Sequence, residues 1–292
     1  MDPISVAVER EGLVEAKHRV HAVRVRDGDV VEAWGDPELV TFMRSAAKPF
    51  QALPLARARV DLSEEELAIA CASHGAAPEQ VAAVEALLAR SGSSEDDLEC
   101  GPENGSRVRH NCSGKHAGML CTCAARGWER QGYRLPGHPL QQELLALVEE
   151  ATESAVEGTA IDGCGVVTFA LTLAAMANGF SRLAKVEVAG GREVVGAMTG
   201  HPELVEGKGR AATEVMRALP GAVAKGGAEG LLCVGLPDGT GYALKVEDGA
   251  SRATGPAAGL LLGLPALAET ALENSRGEEV GKIRPSAFPP EL

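Results

Sequence analysis

Ser45 and Lys48 stand three residues apart in the stretch MRSAAKPF, residues 43 to 50, directly after the run Leu39, Val40, Thr41 and Phe42. On a helix that starts near Ser45, side chains at i and i+3 share a face, so the Lys48 amine can reach the Ser45 hydroxyl. A serine hydroxyl is a poor nucleophile at its own pKa. A desolvated amine with a lowered pKa can take its proton as the oxygen attacks a carbonyl carbon. Pro49 fits the first turn of such a helix, where backbone N–H groups have no intrahelical acceptor. With 14 serines and 8 lysines in the chain, roughly 0.4 such pairs arise by chance, so the spacing needs company. The plain alternative is a surface lysine one turn after an N-capping serine.

Company comes from segments farther along. Ser73, His74 and Gly75 lie in CASHGA, and Lys225, Gly226 and Gly227 lie in AKGGAEG before an apolar run. Taken singly, Ser73 reads as an N-cap and Lys225 as a loop lysine. Taken in order, they parallel the S-x-x-K, S-D-N and K-T-G sets of penicillin-binding proteins and class A β-lactamases. Here His74-Gly75 replaces Asp-Asn, and Gly226 replaces Thr. A second group comprises Cys112, Lys115 and His116 in HNCSGKHAGML with Asp162 and Cys164 in IDGCG. Two thiols on separate segments, with His and Asp nearby, could hold Zn²⁺, although a separation of about 50 residues is unlike a zinc-finger pair. Two buried thiols are the alternative.

Elements must position these groups. Residues 4 to 34 show β-branched alternation with Arg26, Asp27, Gly28 and Asp29 as a hairpin turn, which predicts two or three strands. Ser63 and Glu66 form a capping-box pattern ahead of Leu67 to Ala70. Pro78 opens a helix with Val81, Val84, Leu87 and Leu88 on one face and a stop at Gly92. Cys121 and Cys123 read as small buried hydrophobes. His138 and Pro139 open another amphipathic helix, and residues 166 to 180 predict a helix stopped by Gly179. Residues 192 to 219 continue helical, broken at Gly200, His201 and Pro202. Two late apolar runs joined by Pro237, Asp238, Gly239 and Thr240 predict strands, and residues 252 to 272 predict a closing helix. The expectation is an α/β (α+β) chain whose sheet is built from both ends, 1–60 and 220–275, with a mainly helical part, 61–219, inserted. Residues 276–292 read as a polar, Pro-rich tail.

Composition excludes several classes. A net charge of −13 and the absence of any basic run argue against nucleic-acid and anionic-membrane partners. Aromatics make up only 3%, so the core must be built from Ala, Val and Leu. The N-terminal MDPISVAVERE lacks the pattern of a secretory signal, and seven cysteines is an odd count; together they suggest a reducing cytoplasm.

MRSAAKPFQALP, CASHGA, HNCSGKHAGML, IDGCG and AKGGAEG, in this order between residues 43 and 230, resemble the bacterial L-asparaginase II family of the Rhizobium etli type. The resemblance implies a serine β-lactamase-like fold and hydrolysis of L-asparagine to L-aspartate and ammonia. It implies Ser45 as nucleophile and Lys48 as its base, with Ser73 and Lys225 as a second Ser/Lys pair. It further implies that Cys112, Lys115 and Cys164 hold zinc, with Asp162 reaching it through water, and that the working form is a homodimer. Ligand preference alone would nominate His116 over Lys115, since a lysine must lose its proton to coordinate. His116, Arg44, Asn111 and Gly226 are then expected in substrate recognition, with Arg44 on the substrate α-carboxylate. The rivals are another serine acyl hydrolase, acting on glutamine or β-lactam-like amides, and a non-catalytic zinc or amino-acid sensor.

Overall fold

The computed structural model describes residues 1–59 and 61–286. Strands β1 (Ile4–Arg10), β2 (Leu13–Arg26) and β3 (Asp29–Trp34) follow one another as hairpins. Glu11 and Gly12 at the first turn, and Asp27 and Gly28 at the second, all have positive φ. Two successive left-handed residues give the turn whose twist matches that of the flanking strands. Strand β2 is long enough to change partners. Its first half pairs with β1, and from Val20 onward it pairs with strand β9 (Thr240–Val246) on one edge, while Ala22 to Arg26 pair with β3 on the other.

Strands β4 (Val40–Phe42), β5 (Gly158–Ile161) and β6 (Val167–Thr172) form a separate antiparallel sheet with β6 in the middle. The late strands β7 (Val223–Gly227), β8 (Leu231–Gly235), β9, β10 (Thr270–Glu273) and β11 (Glu279–Pro285) complete the main sheet. Its order is β10-β11-β1-β2-β9-β8-β7, with β3 beside β2. A sheet drawn from both ends of the chain, with helices inserted between them, is the expected α/β arrangement.

Residues Thr240 to Leu244 of β9 are buried without alternation, so the sheet is covered on both faces at its centre. The helix Leu173–Ala184 lies against it with almost no spacing. A Cβ at Gly235 would fall 1.9 Å from Phe180 O, and one at Gly241 would fall 2.0 Å from Ala177 O. Glycine is required there by close approach. Phe180 on that helix meets Phe50 edge-to-face at 5.3 Å. Phe50, Leu53 and Leu55 are all buried, each contributing roughly 1.5–3 kcal/mol, and they fix the short helices that follow Ser45.

Three expectations need correction. Residues 167–172 are strand β6, and the helix begins only at Leu173 and runs through Gly179 to Ala184. Thr172 makes the change of structure, because its hydroxyl accepts the Ala175 N–H as an N-cap. Residues 252–272 are not one closing helix: Thr254–Leu262 ends at Gly263 in the left-handed region, and the chain then returns to the sheet as β10. The C-terminal stretch is no tail as far as Pro285, since β11 pairs with β1 and β10. Residues 287–292, the end of the expected tail, lie outside the described residues. No described helix is long and apolar enough to cross a membrane.

Candidate active site

Ser45 sits in the opening turn of a short 3-10 helix, Arg44–Ala47, right after the small sheet. Arg44 has φ +48°, a left-handed backbone for a long side chain. Such strain persists only where the surroundings impose it. Here Arg44 N–H donates to Thr168 Oγ1 at 3.1 Å and Arg44 Nε donates to Asp162 Oδ1 at 2.6 Å. Both partners belong to β6 and the turn before it.

Lys48 is fully buried, and its Nζ donates to Ala72 O at 2.6 Å and to Ser73 Oγ at 2.9 Å. The expected Ser45–Lys48 bond is therefore not the one formed; among the described residues the lysine is engaged by Ser73. Ser73 follows the helix Glu64–Ala70, whose capping box at Ser63 and Glu66 is present as expected. It is not an N-cap, because Ala77 takes that position on the next helix. Its segment is pinned by Ser73 N–H to Val205 O and by His74 N–H to Asn111 O, at 2.7 and 3.1 Å. His74 is structural: Nδ1 accepts from Ala76 N–H and Nε2 donates to Ser113 Oγ. Burial holds its pKa down at about 4, so it stays neutral.

From the opposite side comes Lys225, on strand β7 and not in a loop. It too is fully buried and donates to Ser73 Oγ at 2.9 Å. Its second partner is Glu206, which the sequence analysis did not single out. Glu206 Oε1 also accepts Gly226 N–H at 2.7 Å. Burial would raise the Glu206 carboxyl, but Lys225 outweighs it and holds the group below the ordinary carboxylate range. Lys48 has no carboxylate of its own. Burial is the main influence, opposed by Cys112 and reinforced by Lys225 and Lys115, and it lowers the amine to about 8. Ser73 thus receives one lysine that loses its proton near neutrality and one that is paired with an acid.

Ser45, Ser73, Asn111, Gly226, Glu206 and Arg210 all border one cleft of about 520 Å³. Gly227 lets β7 approach the Ser45 turn, since a Cβ there would lie 2.8 Å from Met43 O.

Behind Lys48 lies the thiol group. Cys112 is at the N-terminus of the helix Ser113–Arg126, Lys115 is one turn in, and Cys164 lies in the turn between β5 and β6. All three are buried, and Lys115 Nζ is 3.0 Å from Cys164 Sγ. The neighbouring Cys164 drives the Cys112 thiol well below the usual range, with Lys48 and Lys115 adding to the effect. Cys112, together with burial, pushes the Cys164 thiol up. Burial draws Lys115 down, but Cys164 and Cys112 outweigh it and its amine ends above the ordinary value.

Arg44 is turned to Asp162 and does not border the cleft. Asp162 Oδ1 accepts its own Gly163 N–H as well. His116 is fully buried; Nδ1 meets the Tyr133 hydroxyl at 2.5 Å and Nε2 has no partner among the described residues. Among those residues no three His, Cys, Asp or Glu side chains are placed to hold a metal. The donors that do converge are two thiols and the Lys115 amine, with the unpartnered His116 nitrogen on the same helix. That donor set suits Zn²⁺, provided Lys115 gives up its proton. Cys121 and Cys123 are buried free thiols, as expected.

The sequence matches a family described as L-asparaginase II over residues 6–285. Among solved structures, the chain is similar to a β-lactamase from Mycobacterium bovis, with 15% identity and a TM-score of 0.43, over 78% of this chain and 86% of that one. It is also similar to EstCE1, a hydrolase with promiscuous acyltransferase activity, with 11% identity and a TM-score of 0.41, over 78% of this chain and 88% of that one. No curated protein matches the chain.

Proposed function

The chain belongs to the L-asparaginase II family of amidohydrolases, and from that premise we propose that it hydrolyses the side-chain amide of L-asparagine to L-aspartate and ammonia through a serine ester. The observation that supports this best is the buried chain Lys48, Ser73, Lys225, Glu206, which meets the cleft bordered by Ser45. In this reading Ser45 Oγ attacks the amide carbon, and its proton passes through the Ser73 hydroxyl to the neutral Lys48 amine. Ser45 N–H, in the first turn of its helix, is suited to receive the oxyanion, because such groups have no intrahelical acceptor. Gly226 N–H is already used by Glu206. Lys48 then returns the proton to the departing nitrogen, ammonia leaves, and water cleaves the ester with Lys48 again as base. Lys225, paired with Glu206, stabilises negative charge at Ser73.

Cys112, Cys164 and Lys115 would hold Zn²⁺, with Asp162 nearby. The ion would supply a fixed positive centre that orients the substrate or the wall behind Lys48. We further place the protein in the cytoplasm as a homodimer, which sedimentation velocity tests.

One observation favours a second reading in which Ser73 is the nucleophile: it alone receives both lysines. Ammonia release from L-asparagine and L-glutamine by wild type, Ser45→Ala and Ser73→Ala separates the two. Loss of turnover in Ser45→Ala, with residual turnover in Ser73→Ala, supports Ser45; the reverse pattern supports Ser73. No turnover by wild type on either amide removes the amidase reading.

A further inference from the structure

Glu206 and Arg210 bracket the loop Gly207, Lys208, Gly209, whose glycines have φ of 96° and 73°. The loop doubles back, so that both of its ends border the cleft that also holds Ser45 and Ser73. At its start, the Glu206 side chain is only 8% exposed. Oε1 is occupied by Lys225 and Gly226 N–H, whereas Oε2 accepts no hydrogen bond among the described residues. At its end, Arg210 is exposed and makes no ion pair among the described residues. The other guanidinium groups near the site are engaged. Arg252 Nε donates to His18 Nε2 at 2.9 Å, and Arg44 is held by Asp162. Arg210 is thus a cation left over on the cleft, four residues from a carboxylate with one oxygen left over.

We infer that Glu206 and Arg210 read the headgroup of a free amino acid, Arg210 receiving the α-carboxylate and Glu206 Oε2 the α-ammonium. This rests on the amidohydrolase reading of the same cleft and assigns how its substrate is chosen. In a protein of net charge −13, an anionic headgroup needs a local cation to enter. A charge-assisted pair is directional, and a ligand lacking its half leaves a site group unpaired. Glu206 and Arg210 are therefore specificity-determining residues of the cleft. An asparagine inside a peptide, whose α groups are tied up in amide bonds, presents neither charge and is rejected.

The test measures kcat and KM on L-asparagine and on 3-aminopropanamide, which lacks the α-carboxylate, for wild type, Arg210→Ala and Arg210→Lys. Calorimetric titration of L-aspartate into the same proteins reads binding without turnover. Arg210→Ala is expected to raise KM for L-asparagine and weaken L-aspartate binding, each roughly ten- to a hundredfold. Arg210→Lys recovers part of this, and KM for 3-aminopropanamide stays unchanged. In the partner experiment, Glu206→Gln raises KM for L-asparagine more than for succinamic acid, which lacks the α-ammonium. Unchanged constants in Arg210→Ala beside an active wild type overturn the headgroup assignment and leave the amidase reading standing. An equal loss on 3-aminopropanamide also overturns it, since that pattern marks a structural role. A wild type that neither hydrolyses L-asparagine nor binds L-aspartate removes both.

Discussion

Lys48 Nζ lies 2.9 Å from the hydroxyl of Ser73, 25 residues along the chain, and not on the serine three residues before it. The Ser-x-x-Lys spacing brings the two groups to the same cleft region, but the lysine turns inward. Lys225 arrives at the same oxygen from the sheet. Ser73 is the junction of the site.

Lys48 should therefore set the pH dependence of turnover. With Lys48 near 8, it is protonated at lower pH and unable to act as base. Log kcat/KM should rise with unit slope up to about pH 8 and level above it. Lys48→Arg cannot lose its proton and is expected to cost roughly 10²- to 10⁴-fold in kcat. A rate independent of pH between 6 and 9 would remove Lys48 as the base.

Glu206 and Lys225 make a stability prediction. Glu206→Ala leaves a buried ammonium without its partner and should cost about 3–5 kcal/mol, as seen in the urea midpoint. Adding Lys225→Met should recover part of the loss, and the double-mutant cycle measures the coupling. Additive losses would mean that the pair does not act as a unit.

The same carboxyl sets a pH window. Its folded pKa is depressed, so the unfolded chain takes up the proton first as pH falls. The stabilisation is present above the ordinary carboxylate range of about 4.3, and it is lost as pH drops through that value toward the folded pKa. Wild type should lose stability more steeply than Glu206→Gln between pH 5 and 3. Parallel curves would contradict the shift.

For the thiols, the check is elemental. If Cys112, Cys164 and Lys115 hold zinc, purified protein should carry about one ion per chain, and Cys112→Ala and Cys164→Ala should carry none. Unchanged metal content in both variants would exclude this donor set.

The contact between the helix Leu173–Ala184 and the sheet should tolerate no side chain at Gly241. A Cβ there would meet the Ala177 carbonyl at 2.0 Å, and backbone cannot rotate away as a side chain can. Gly241→Ala is expected to destabilise by about 1–3 kcal/mol or more. A melting temperature equal to that of wild type would show that the helix can shift freely.

Much of this architecture was legible in local signals. The capping box at Ser63 and Glu66, Pro78 at a helix start, left-handed Gly92 at its end, and the turns at Asp27-Gly28 and Asp238-Gly239 each announce a boundary through their own chemistry. Residues 167–172 gave no such signal, because a fully buried strand and a buried helix segment are both unbroken apolar runs. Strand β11 was missed for a different reason. Only Ile283 and Pro285 of its seven residues are buried, and its partner β1 lies at the other end of the sequence. In the site, residue types and their order pointed to Ser45, Lys48, Ser73 and Lys225. Glu206 gave no sign of itself, since in the sequence an acid beside Gly207 and Lys208 reads as a solvated loop charge. Only the folding of that loop onto β7 makes it a buried partner.

The pairing of β11 with β1, and of β9 with β2, has a consequence for synthesis on the ribosome. For most of translation the N-terminal hairpins emerge without the strands that will flank them, and the helical middle is complete before the sheet can close. Pairings between chain ends close the largest loops and form slowly. Lys225 reaches Ser73 only after β7 has emerged, so a nascent chain that stalls just before it carries both serines, Lys48 and Glu206 but lacks the lysine that joins Glu206 to Ser73. Assembly of the Lys48, Ser73 and Lys225 group is thereby tied to the synthesis of β7.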